Sequence, residues 1–306
     1  MSLNIQILFE SSEVHNKSFQ LACKLGDVAL VDILLQNSCV DPSTNNNEVI
    51  RWASENGHIA VVDRLLQEPK NRVDPSAKNN YAIRWASENG HIAVVDRLLQ
   101  EDRSKNRVDP STNNNFAIRS ASDNGHIAVV DRLLQEPKNR VDPSANNNNA
   151  IRWASLNGQI VVVDRLLQDS RVDPSADDNS AIRWASQSGH IAVVDRLLQE
   201  GRVDPSADNN NAIRWASHNG HIAVVDRLLQ EGRVDPSAKN NEAIRHASAN
   251  GHIAVVNRLL QEGRVDPSAD DNFAIRRASE KGHKAVVDRL LQEDMSRVKR
   301  FQKLDT

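Results

Sequence analysis

Histidine, arginine and aspartate, the side chains able to hold a metal, an anion or a proton, recur along this 306-residue chain once per repeating unit. His58, His91, His126, His190, His221, His252 and His283 each follow a glycine. Imidazoles separated by a whole unit lack the short spacing of a metal-ligand set, so no metal is expected. Arg51, Arg84, Arg119, Arg152, Arg183, Arg214, Arg245 and Arg276 form a second ladder, and Asp41, Asp74, Asp109, Asp142, Asp173, Asp204, Asp235 and Asp266 a third. A guanidinium at such a position can reach loop carbonyls or the loop aspartate and tie one unit to the next. The sharper reading of the same ladder is a stripe that binds anions. A further row, Asp63, Asp96, Asp131, Asp164, Asp195, Asp226 and Asp288, either faces solvent or meets a neighbouring arginine. There is no phosphate loop, nucleophile elbow or metalloprotease helix motif. Paired acid and base groups would break the repeat, so neither catalysis nor a cofactor is expected.

The elements that must position these ladders follow from the glycines. Gly26, Gly57, Gly90, Gly125, Gly158, Gly189, Gly220, Gly251 and Gly282 lie 31 to 35 residues apart, most inside a run close to WASENGHIAVVDRLLQ. Such a period marks a tandem array. Within one unit, Asp204-Pro205-Ser206 is a turn signal, and Asp208-Asn209-Asn210 continues it with residues that tolerate left-handed backbone. Asn210 is placed to cap a first helix that Gly220 ends. Ile222, Val225, Leu228 and Leu229 then paint one face of a second helix, widened by Val224, while Arg227 and Glu231 pair on its wet side. Stacking buries Ile213, Ala216, Val225, Leu228 and Leu229 between neighbouring units, because neither helix can bury its stripe alone. The predicted architecture is an all-α solenoid of about nine antiparallel helix pairs, capped by the atypical first and last copies.

Longer spacings arise after the second helix, at Pro69-Lys70-Asn71, Asp102 to Asn106 and Pro137-Lys138-Asn139, where insertions leave the core in register. The expected organisation is an N-terminal segment 1–16, one array 17–293 and a basic C-terminal tail 294–306. A net charge of −3 gives no reason to expect nucleic acid or an anionic membrane. No stretch approaches the roughly 20 apolar residues of a membrane span, and no export signal opens the chain. Cys23 and Cys39 are its only cysteines, which suits two reduced thiols in a cytoplasmic protein.

The pattern A-x-x-x-G-H-x-x-V-V-x-x-L-L, with Asp-Pro-Ser before the next unit, resembles the ankyrin repeat over roughly Lys17 to Glu293. That resemblance implies curved stacks of helix pairs that bind other proteins on their concave side, with the per-unit histidines used structurally. The chain departs from the family where Thr-Pro-Leu-His is expected, for it carries forms such as Asn211-Ala212-Ile213-Arg214. The arginine therefore takes the place of the family's inward histidine. Its shorter unit implies short Asn-rich loops in place of long hairpin fingers.

Positions that change between copies are free or carry function. The residue after the loop asparagine runs Glu48, Tyr81, Phe116, Asn149, Ser180, Asn211, Glu242 and Phe273. Four residues on stand Trp52, Trp85, Ser120, Trp153, Trp184, Trp215, His246 and Arg277. A third set includes Glu55, Glu88, Asp123, Leu156, Gln187 and His218. Helical spacing puts all three on one side of the first helix, and aromatic residues there are of the type that anchors interfaces. Tyr81, Phe116 and Phe273 read as loop residues with no core to fill. The predicted partner-binding residues are Glu48, Trp52, Tyr81, Trp85, Phe116, Trp153, Leu156, Trp184, Trp215, His218, His246, Phe273 and Arg277, on a monomer that binds another protein. Two alternatives stand beside this: polyanion or ligand binding through the arginine ladder, and a purely structural solenoid in which the tryptophans only pack.

Overall fold

The computed structural model describes residues 12–69, 72–101 and 108–304, and side chains as far as residue 295. The inserted residues Lys70, Asn71 and Asp102 to Asn106 lie outside the described residues, as do the first eleven residues of the expected N-terminal segment. Among the described residues there are eighteen helices and no strand.

The chain divides into two compact units, residues 1–150 and 151–306, with the division inside one helix. The first unit holds α1 (Ser12–Leu25), α2 (Val28–Leu35), α3 (Thr44–Glu55), α4 (Ile59–Leu66), α5 (Ala77–Glu88), α6 (Ile92–Leu99), α7 (Thr112–Asp123), α8 (Ile127–Leu134) and the start of α9 (Ala145–Leu156). The second completes α9 and adds α10 (Ile160–Leu167), α11 (Ala176–Ser188), α12 (Ile191–Leu198), α13 (Ala207–His218), α14 (Ile222–Leu229), α15 (Ala238–Ala249), α16 (Ile253–Leu260), α17 (Ala269–Glu280) and α18 (Lys284–Leu304). Helix α1 begins before residue 17, and α18 runs on through residue 294.

Within each unit an odd-numbered helix packs against the even one that follows it and against the next odd helix, as α3 does on α4 and α5 and α13 on α14 and α15, and even helices pack on even ones, as α4 on α6 and α12 on α14. Within each unit this makes two layers with the apolar residues between them. In one copy Ala212, Ile213, Ala216, Val224, Val225, Leu228 and Val234 are fully buried. Full burial of each such Val, Leu or Ile contributes about 1.5–3 kcal/mol. Leu229, expected in the core, is only half-buried, as is Ile222. The seam turns toward Val224, because the neighbouring second helix covers the Val-Val side of the stripe and leaves the second leucine at its edge.

The loop after Asp-Pro-Ser carries the main surprise. Three residues in succession are left-handed, as at Asp208 (φ 52°), Asn209 (φ 54°) and Asn210 (φ 59°), and the same turn recurs in eight copies. Asparagine and aspartate visit this region singly at modest cost, but consecutive left-handed residues are disfavoured by about 1–2 kcal/mol each. The turn is held by bonds that offset this cost. The Asn210 N–H donates to the Ser206 carbonyl at 2.8 Å, and Asp204 Oδ1 accepts from both the Ser206 N–H and its hydroxyl.

Asn210 is thus not the helix cap that was expected. A capping side chain needs an extended backbone, whereas Asn210 is left-handed and aims its side chain out of its own helix. Its Oδ1 accepts the Asp235 N–H of the next copy at 2.7 Å. Asn47, Asn80, Asn115, Asn179 and Asn241 make the same bond to Asp74, Asp109, Asp142, Asp204 and Asp266.

Candidate functional site

The arginine ladder completes the left-handed turn. Arg51 Nε and Nη2 donate to the carbonyls of Asn46 and Asn45, and Arg84, Arg119, Arg214 and Arg276 repeat the pattern on their own turns. Successive left-handed residues point their carbonyls to one side, and a planar guanidinium collects two of them at once. The ladder also reaches forward to the next copy. Arg152, Arg183 and Arg245 pair with Asp177, Asp208 and Asp270, and Arg214 with Glu242 at 2.7 Å. The forward partner is the first residue of the left-handed turn for Arg152, Arg183 and Arg245 and the residue just after the turn for Arg214, not the Asp-Pro-Ser aspartate expected from sequence, whose carboxylate accepts from its own serine.

Asp63, Asp96, Asp164, Asp195 and Asp226 of the second helices each meet an arginine of the next copy, the second of the two readings left open. Arg97 Nε bonds Asp63 at 2.6 Å, Arg196 bonds Asp164 at 2.6 Å and Arg227 bonds Asp195 at 2.7 Å. The same guanidinium holds a glutamate four residues on, as in Arg227–Glu231 at 2.8 Å. The per-copy histidines also tie copies together. His221 Nε2 lies 3.0 Å from the Gln187 carbonyl, and its ring packs on Gly189.

The variable positions form a row of rings on the first helices. In the first unit Tyr81, Trp85 and Phe116 follow one another at centroid distances of 5.4 and 6.1 Å. In the second, Trp153 meets Trp184 at 5.8 Å. Trp215, His218, His246 and Phe273 run on at 5.1, 5.2 and 6.2 Å. The row is wet: Trp153 and Trp215 are each 38% exposed, and the other rings are half-buried. Tyr81, Phe116 and Phe273 stand on helices just past the left-handed turn and not at loop tips, since the turn ends one residue before them.

Sequence reasoning kept the arginines and the rings apart, whereas the structure interleaves them. Arg51 lies over Tyr81 at 5.1 Å, Arg84 over Phe116 at 5.4 Å, Arg152 over Trp184 at 4.7 Å and Arg245 over Phe273 at 5.1 Å. Each pairs an arginine with the ring of the following copy, a reach that one copy read alone does not reveal. Such contacts contribute about 0.5–2 kcal/mol each. Arg277 also lies over Phe273, and Lys24 over Trp52. Of the other expected residues, Glu48 holds Asn45 at 2.9 Å, and Leu156 is half-buried on α9.

Carboxylates border the rings in the first unit. The Tyr81 hydroxyl donates to Glu55 at 3.0 Å. Burial, with the Glu55 hydrogen bond and charge behind it, raises the Tyr81 pKa. Burial first, and then the negative charges of Asp123 and Glu55, raise that of Glu88. In the second unit burial lowers the His246 pKa, with His218, Arg245 and Arg214 adding to the effect and Glu242 opposing it.

Elsewhere, burial pushes the Cys23 thiol up to about 12, so it stays protonated. Among the described residues no helix is long and apolar enough to cross a membrane. A family model described as ankyrin repeats (3 copies) matches residues 83–178, 151–240 and 214–301, together more than half of the chain. No curated protein matches it.

Proposed function

The chain belongs to the ankyrin-repeat family, whose members are generally protein-interaction modules, and from that premise we propose that it is a non-enzymatic scaffold gripping a partner protein through the ring and guanidinium row on its first helices. One observation carries this reading. The rings occupy the positions that change from copy to copy and remain partly exposed, while the residues around them repeat and are committed to the stack. A row serving only to pack the copies would be as uniform as the leucines and would be buried. Half-exposed aromatic side chains with rigid guanidinium neighbours supply large contact area at low entropic cost, the composition of interface anchors.

The arginines of the ladder spend donors on turn carbonyls and neighbouring carboxylates, which favours their structural role over binding of a polyanion. An affinity capture compares the wild type with two triple variants, Tyr81, Trp85 and Phe116 to Ala, and Trp153, Trp184 and Trp215 to Ala. Loss from either variant of a partner that the wild type retains, with the helical circular-dichroism signal unchanged, is the expected outcome. An identical set of captured proteins from all three would overturn the reading.

A further inference from the structure

Two histidines of the second unit stand outside the histidine ladder. His218 occupies a position held elsewhere by Glu, Asp, Leu, Gln or Ala, and His246 one held most often by Trp. They lie on adjacent first helices, α13 and α15, and their Nδ1 atoms face each other at 3.3 Å. Nothing in the repeat requires this pair, since neighbouring copies stack without it.

We propose that His218 and His246 form a two-nitrogen site for a divalent transition cation of the zinc class. Zinc binds imidazole nitrogen at about 2.0–2.1 Å in a tetrahedral arrangement, so two nitrogens on one ion sit about 3.3–3.4 Å apart. The observed separation is that edge. In the neutral pair one ring donates its Nδ1 proton to the other, and a cation replaces that proton when both rings turn their lone pairs inward. The remaining nitrogen of His246 is also provided for: its Nε2 lies 3.9 Å from Glu242 Oε1. At that distance the carboxylate is a neighbour and not yet a hydrogen-bond partner, and a small turn of the ring toward it would supply the outer-nitrogen support usual for a metal-bound imidazole. Arg214 in turn holds Glu242 at 2.7 Å.

The His246 side chain is 35% exposed, so the cation has an entry path. Among the described residues no group of three or more His, Cys, Asp and Glu is placed to hold a metal. The ion therefore keeps at least two positions for water. The ladder histidines do not compete, because a ring such as His221 has its Nε2 on a backbone carbonyl and packs its Nδ1 side on glycine.

The test is a zinc chloride titration of the full-length protein carrying Cys39→Ser, which removes the exposed thiol. The chain itself supplies conservative variants: Gln187 stands at the position of His218, Trp215 at that of His246, and Gln159 in the histidine ladder. One saturable zinc is expected. Its affinity should fall at least about tenfold in H218Q and in H246W, and stay unchanged in H221Q, with a cooperative thermal melt retained by all three. Zinc should shift the ring nitrogen-15 resonances of His218 and His246 alone. Absence of saturable binding, affinity in either pair variant equal to that of the parent protein, or shifts confined to other rings would overturn the proposal.

Discussion

The two layers of helices treat the same chemistry in opposite ways. Along the second helices most copies repeat one arrangement, an arginine between the aspartate of the preceding copy and its own glutamate, as in Asp195–Arg227–Glu231, and the last keeps its form with Asn257 in place of the aspartate. Along the first helices the arginine also repeats, but its neighbours range from Tyr81 and Phe116 to Asn211 and Glu242. The contrast separates what a neighbouring copy demands from what it leaves open. Where both partners of a bond belong to the stack, drift in either is penalised in two copies at once. Where one partner faces water, the letter is free to answer to something outside the chain. Constancy therefore identifies the joints of the array, and variability its working surface.

The sharpest way to break this division is at a joint where two requirements coincide. Gly189 has φ +81°, and a Cβ there would come within 2.5 Å of His221 Nδ1 of the next copy. Gly189→Ala both strains a left-handed residue and pushes the His221 ring away from its bond to Gln187. We expect a loss of about 3–4 kcal/mol, read as a lower urea midpoint, because strain and overpacking of about 1–3 kcal/mol each combine. A loss under about 1 kcal/mol would show that the ring relaxes freely and that the joint is soft.

Adjacent asparagines sharpen the same contrast. Asn210 is left-handed and accepts the Asp235 N–H, whereas Asn211 lies at a variable position and bonds Asp208 of its own turn at 2.8 Å. Asn210→Ala is expected to cost about 2–3 kcal/mol, from the left-handed penalty and a stranded N–H. Asn211→Ala should cost less than about 0.5 kcal/mol, as ordinary surface changes do. Equal urea midpoints for the two variants would remove the distinction between joint and surface at the place where the two adjoin.

A smaller effect is expected within the repeating ion row itself. Asp195 is 46% exposed and its partner Arg227 25% exposed. Asp195→Asn should cost only about 0.2–1 kcal/mol, and less at high salt. The row is constant because it repeats in register, not because any one pair is strong. A loss above about 2 kcal/mol that persists in 1 M salt would reverse that conclusion.

The helix pairs, their order and the terminating glycines were legible because each rests on local letters: apolar spacing, a turn signal, a residue that accepts positive φ. The structure departs from sequence reasoning wherever the cause lies a full copy away. Three left-handed residues in a row are locally unfavourable, and what sustains them is a guanidinium five and six residues on together with the backbone of the following loop. Asn210 reads as a cap because its partner, Asp235, is invisible within one unit. The ring row was legible in its residue types, but its interleaving with Arg51, Arg84, Arg152 and Arg245 was not, since each of these meets a ring of the next copy.

The finest test lies on the variable face, where Glu88 is a carboxylate whose charge its surroundings disfavour. Burial, Asp123 and Glu55 hold its pKa above the usual carboxylate value, with Arg84 opposing. A carboxyl whose folded pKa is raised binds its proton more tightly in the folded state. Its favourable contribution is present below the unfolded value and lost as pH rises through the folded one. At neutral pH the charged form therefore weighs slightly against folding. Glu88→Gln removes that charge and is expected to stabilise the protein by a few tenths of a kcal/mol at pH 7. The gain should vanish as pH falls through the acidic range in which wild-type Glu88 takes up its proton. Urea midpoints for both proteins across that range measure the difference. A variant less stable than wild type at pH 7 would mean that Glu88 holds a bond within the stack, and would move it from the variable surface to the joints.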